Sequence, residues 1–151
     1  MKFTIIYIGV FALVIFSFLF ILQSRPNPEM MISGEWAEVS WKYEKINSYD
    51  NLDFKNHSSE QVKNLVGKDL VIYEAEKWEF LPDGKLKLIG GETIRMVNWR
   101  IKGRGHILQI KYHDGLQENY NISYLKHGKM VLNFDAYAKV RGIAQLTFNK
   151  I

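Results

Sequence analysis

From Gly34 onward the apolar side chains recur at every second residue, in short runs broken by glycine-bearing turns. The runs include Trp78/Phe80, Trp99/Ile101, Leu108/Ile110/Tyr112, Tyr120/Ile122/Tyr124, Met130/Leu132/Phe134 and Leu146/Phe148. A period of two places each run on one face of an extended strand, whereas a helix would scatter it around the axis. Pro82-Asp83-Gly84, Gly90-Gly91, Gly103-Arg104-Gly105, His113-Asp114-Gly115 and Lys126-His127-Gly128 are short enough for hairpins and supply the glycine that such turns need. The pattern predicts eight strands, over Gly34–Lys45, Leu70–Leu81, Lys85–Ile89, Thr93–Lys102, His106–Tyr112, Leu116–Leu125, Lys129–Ala136 and Ile143–Asn149. The fold class is all-β, and an eight-stranded up-and-down antiparallel meander hides its edges most readily by closing into a barrel.

Two places complicate that pattern. Counting alternately from Trp36 puts Glu38, Ser40 and Lys42 on its side and Val39, Trp41 and Tyr43 opposite. Either a bulge switches the face partway along, or Trp36 and Trp41 pack in different places. The connection Asn47–Lys68 is much longer than the others; Ser58 with Gln61 three residues on resembles a capping box, and Val62, Leu65 and Val66 form a small apolar stripe before Gly67. It predicts one short helix across a barrel opening, as a plug completing the core or as a lid.

Ahead of the barrel, Phe3 to Leu22 are twenty positions without a charge or a proline. At helical rise they extend about 30 Å, the thickness of a hydrocarbon core, so the reading is an N-terminal transmembrane anchor over 1–23, a linker over 24–33 and the barrel domain over 34–151. A cleaved signal fits less well, because the apolar run is long and no small-x-small site follows it. Lys2 faces Arg25 across the segment, nearly a draw for the positive-inside rule. A signal anchor of this kind leaves its amino end in the cytoplasm, so the expected location is a single-pass membrane protein with an extracytoplasmic C-terminal domain, periplasmic in a bacterium. Pro26 and Pro28 stop the helix and favour an extended linker. With no cysteine, the chain has neither a disulfide nor a lipidated thiol.

Little points to catalysis. Nucleophile-elbow, phosphate-loop and dinucleotide motifs are absent, and His57, His106, His113 and His127 are too dispersed for a metal set. Glu74 and Glu76 read as the wet face of a half-buried strand. The net charge of +4 comes from lysines scattered along the strands, which argues against a nucleic-acid surface. The expectation is a non-enzyme without metal or cofactor. Inward aromatics are the more informative constellation, because they either pack the core or line an apolar pocket.

Gly34-Glu35-Trp36 at the head of the first strand, the long first connection with its helix, Trp78-Glu79-Phe80-Leu81-Pro82-Asp83-Gly84, the Trp99 strand, Tyr120-Asn121-Ile122 and Leu132 together resemble the small bacterial lipocalin-like domains of the calycin superfamily. The resemblance covers nearly all of Gly34–Ile151. It implies that Gly34 and Trp36 form the structural motif closing one barrel end, with Lys139 or Arg141 as the basic side chain packed on the tryptophan. It also implies a binding module for a small hydrophobic or amphipathic, lipid-like molecule, with Trp78, Phe80, Trp99, Tyr112, Tyr120, Tyr124 and Phe134 as candidate barrel-lining residues. The alternative is a filled barrel that acts structurally and docks a membrane-protein partner of the envelope.

Overall fold

The computed structural model describes residues 2–23, 27–45, 57–137 and 141–151. Eight antiparallel strands close into a barrel in sequence order: β1 (Gly34–Lys45), β2 (Lys77–Phe80), β3 (Lys85–Gly90), β4 (Thr93–Lys102), β5 (Ile107–Lys111), β6 (Gln117–Lys126), β7 (Lys129–Tyr137) and β8 (Arg141–Lys150), with β8 pairing back onto β1. Apolar rows point inward and Lys, Arg, Asn and Gln line the outside. A polar ladder crosses the outer face of three strands: Arg100 Nε donates to Gln109 Oε1 at 2.7 Å, and Gln109 Nε2 donates to Asn119 Oδ1 at 2.7 Å.

The face switch in β1 is a bulge. The register against β8 shifts between Glu38 and Ser40, so Val39 is extruded and exposed while Trp36 and Trp41 both turn into the core. A second bulge in β6 shifts its register against β7 between Ile122 and Tyr124. Tyr124 therefore pairs with Val131 instead of continuing the inward row of Tyr120 and Ile122, and Leu125 packs toward the core in its place.

Strand β2 is shorter than its apolar pattern suggests, because 70–75 form successive turns, with Tyr73 N–H bonded to Leu70 O and Ala75 N–H to Ile72 O. The turns drop Ile72 and Ala75 into the core, and Glu74 and Glu76 are consequently not two rungs of one strand face. The backbone at Glu74 crosses so close to Gly90 that a Cβ there would lie 1.7 Å from Glu74 O, so only glycine fits.

Helix α3 (Ser59–Val66) forms with the expected capping box, Gln61 N–H donating to Ser58 Oγ and Ser58 N–H to Gln61 Oε1. It stands where β1 and β2 part company, since they pair only over Gly34–Ala37. Ser59 Oγ accepts the Trp41 N–H at 2.6 Å, Val62 is buried, and Lys63 reaches Glu38 at 2.9 Å in a pair only 17% and 13% exposed. The helix thus completes the wall and core, as the plug reading has it.

From Pro28 onward the expected linker is helical, not extended. Asn27 caps a one-turn helix, α2 (Pro28–Ile32), with Pro28 in the first turn, where its missing N–H costs no hydrogen bond. Ile32 is buried in the core, and its carbonyl accepts the Trp36 indole N–H at 2.6 Å. At the amino end, α1 (Lys2–Gln23) is one helix. Its apolar side chains are exposed, Phe16 at 76%. Among the described residues no helix is long and apolar enough to cross a membrane, the side chains described within α1 being those of Tyr7 and 9–20.

Candidate functional site

Six of the seven candidate lining residues come together inside the barrel. Their rings form a continuous series: Trp99 meets Phe80 at 5.2 Å between centroids, Phe80 meets Trp78 at 6.1 Å, and Trp78 meets Phe148 at 4.8 Å and Tyr120 at 6.2 Å. Tyr120 then meets Phe134 at 5.5 Å, and Phe134 meets Trp41 at 6.1 Å. Tilted and edge-on contacts at these distances are the favoured arrangements of packed aromatics. Trp78, Leu86, Leu108, Ile110, Leu146 and Phe148 have no solvent-accessible surface, internal or external. They leave no water-sized gap beside them, so this part of the barrel is filled by its own side chains. Trp78 Nε1 has no hydrogen-bond partner among the described residues. The seventh candidate, Tyr124, is corrected: the β6 bulge sends it outside, 41% exposed.

The end carrying α2 is sealed by the structural motif. Gly34 opens β1 at a φ of 111°, and Trp36 is buried beneath Lys150, whose Nζ lies 5.3 Å from the ring centroid. The basic partner of Trp36 is thus Lys150, its register partner on β8. Arg141 opens β8 at the opposite end of that strand pair, and its side chain, like all of Lys139, lies outside the described residues.

The other end, where α3 and the 70–76 turns sit, is polar. Glu118 shares the inward parity of Tyr120 and Ile122, and Arg95 that of Val97 and Trp99. Tyr112 and Tyr120 both donate their hydroxyls to Glu118 Oε2, the latter at 2.6 Å, and Glu118 Oε1 accepts the Val71 N–H at 3.4 Å. Burial raises the Tyr120 phenol well above its ordinary value, reinforced by the Glu118 charge. Burial also raises Tyr112, followed by its hydrogen bond to Glu118 and that residue's charge, against a smaller opposing effect of Arg95. Both phenols are therefore protonated donors and not bases near neutral pH. The carboxylate ties β5, β6 and the covering turns together, and Arg95, half-exposed and 3.5 Å from Glu74, is the cation left facing the mouth.

Comparison with protein-family models, with curated proteins and with solved structures finds no match. Among the described residues no cluster of His, Asp and Glu has the makings of a metal site. The alternation missed Glu118 and Arg95 because they are charged, yet extending strand parity by one rung beyond Tyr120 and Val97 finds both.

Proposed function

We propose that this chain is a membrane-anchored, non-enzymatic interaction module of lipocalin-like architecture, whose filled barrel docks a partner at the membrane instead of carrying an apolar ligand in its interior. The observation that carries the reading is the complete burial of Trp78 and Phe148, stacked on each other, together with Leu86, Leu108, Ile110 and Leu146 around them. A barrel that stores a lipid-like molecule needs apolar surface left uncovered inside it, and these rings cover one another. Anchoring through α1 is supported by its uncharged run from Phe3 to Leu22 and by exposed apolar side chains such as Phe11 and Phe16, which water would not favour. With the amino end in the cytoplasm, the barrel would be extracytoplasmic.

One observation favours a second reading, a small amphipathic ligand seated shallowly at the α3 end. Val97, Tyr112 and Phe134 retain a few percent of exposure there, beside the Arg95 cation. Native mass spectrometry of the full chain released from its own membranes separates the two. The filled-barrel reading expects the bare polypeptide mass, with a partner protein recovered after crosslinking. A small molecule retained at constant stoichiometry would replace it with the second reading.

A further inference from the structure

The lysines that look scattered in sequence are gathered by the fold at the α2 end. Lys102 and Arg104 come from the β4–β5 connection, and Lys126 and Lys129 from the β6–β7 hairpin. All four are exposed, and no described carboxylate pairs with any of them. Glu29, Glu35 and Asp83 lie at the same end, but Asp83 is already taken by Lys85. Lys126 and Lys129 stand directly opposite each other across the two-residue turn His127-Gly128. Like charges in that position repel, and an anion between them would relieve the repulsion.

Two of these cations, Arg104 and Lys126, edge an apolar groove of about 340 Å³ between α2 and β6, whose walls include Pro28, Met31, Tyr124 and Leu125. Its two sides are held in close register: Gly105, at a φ of 98°, packs so near Pro28 that a Cβ would come within 3.0 Å of it. The outward turn of Tyr124 supplies part of the groove, so the β6 bulge that removes this ring from the core places it here. Met30, the neighbour of Met31, is exposed.

Covalent reach decides what this face meets. Helix α1 ends at Gln23 and the cap of α2 is Asn27. Whatever path 24–26 take, four peptide steps span at most about 14 Å. A bilayer-embedded α1 therefore holds the α2 end, and not the α3 end, against the headgroups. We infer that the α2 end of the barrel docks flat on an anionic phospholipid surface, Lys102, Arg104, Lys126 and Lys129 engaging phosphate oxygens while Tyr124 and Met30 enter the interface; this rests on the anchor reading of α1. Guanidinium and ammonium groups bind phosphate through charge-assisted hydrogen bonds, and tyrosine favours the headgroup level.

The test uses the full chain in phosphatidylcholine vesicles with or without phosphatidylglycerol, reading amide hydrogen exchange over 102–106 and 122–129. Exchange there should slow with the anionic lipid only, return at high salt, and leave 57–76 unchanged. The double variant Arg104→Gln/Lys126→Gln should lower the docked-to-undocked ratio roughly 25-fold, at roughly fivefold per charge. Both side chains are exposed, so unchanged exchange over β3 and β8 would show that the variant remains folded. A chain that resists alkaline carbonate extraction yet exchanges identically in both vesicles overturns the docking and leaves the anchor standing. A chain that carbonate removes, but whose two segments are still protected by anionic vesicles, overturns the anchor and leaves the docking face. Protection in native membranes but in neither vesicle assigns the face to a protein and also overturns the inference.

Discussion

The two ends of this barrel solve the same problem, closing a tube, in opposite ways. At the α2 end the seal is dry: Ile32 plugs it, Trp36 lies under Lys150, and the layer above is Trp78, Phe80 and Phe148. At the α3 end the seal is polar, with Glu118 holding two phenols and a backbone N–H while Arg95 faces outward. The contrast teaches where specificity and stability reside. Aromatic packing at the dry end gains from every buried contact, whereas the polar end gains mainly by not leaving a donor unsatisfied.

The largest effect should come from a charge set into the dry end. Phe148→Asp puts a carboxylate without a partner where the native ring is wholly buried. Far-UV circular dichroism during urea titration should then show no cooperative transition. Next, Trp78→Ala should destabilise the protein by about 3–5 kcal/mol in urea unfolding, whereas Arg95→Ala at the mouth should change it by less than about 1 kcal/mol, its ion pair with Glu74 being half-exposed. Equal losses at the two sites would erase the distinction between the ends.

Glu118→Ala should cost about 1–3 kcal/mol, because the Tyr120 hydroxyl loses its acceptor in a buried setting, and Glu118→Gln should cost less by keeping a carbonyl oxygen. The same cluster predicts alkaline sensitivity. The folded Tyr112 and Tyr120 phenols titrate above their unfolded values, so their contribution is complete below about pH 10. As pH rises further the unfolded chain releases protons that the folded one retains, and stability should fall by about 1.4 kcal/mol per pH unit for each phenol. Tyr112→Phe should remove about half of that slope; an unchanged slope would mean that the phenols are not held by the fold. The dry seal's own hydrogen bond contributes modestly beside its packing: Trp36→Phe, which deletes the indole N–H to Ile32 O, should cost about 1 kcal/mol for the lost bond, measured by urea unfolding.

Strand order, the barrel and the inward rows were legible because a period of two with glycine turns admits few other folds. Strands β1 and β4 run over the residues their alternation marks out, and the Ser58/Gln61 box starts α3 where it should. What escaped was decided by tertiary contact. The run 70–76 alternates like a strand, but it is bent into turns so that Ile72 and Ala75 can cover the core. The β6 bulge adds one residue without any glycine to announce it, which is why Tyr124 reads as interior. Pro28 reads as a stop when it is a first helical residue, and the Asn27 cap with the burial of Ile32 holds a helix of one turn there. Lys150 as the cover of Trp36 follows from strand register, which residue spacing does not encode.

The dry interior around Trp78 is the centre of the account, and its indole proton reports on it directly. In a protein with nitrogen-15-labelled tryptophan, the Trp78 Nε1–H signal should show no magnetisation transfer from water, exchange with deuterium only through global unfolding, and stay unmoved during titration with a long-chain fatty acid. Rapid exchange together with a fatty-acid-dependent shift would mean a hollow, ligand-accessible barrel and would contradict it.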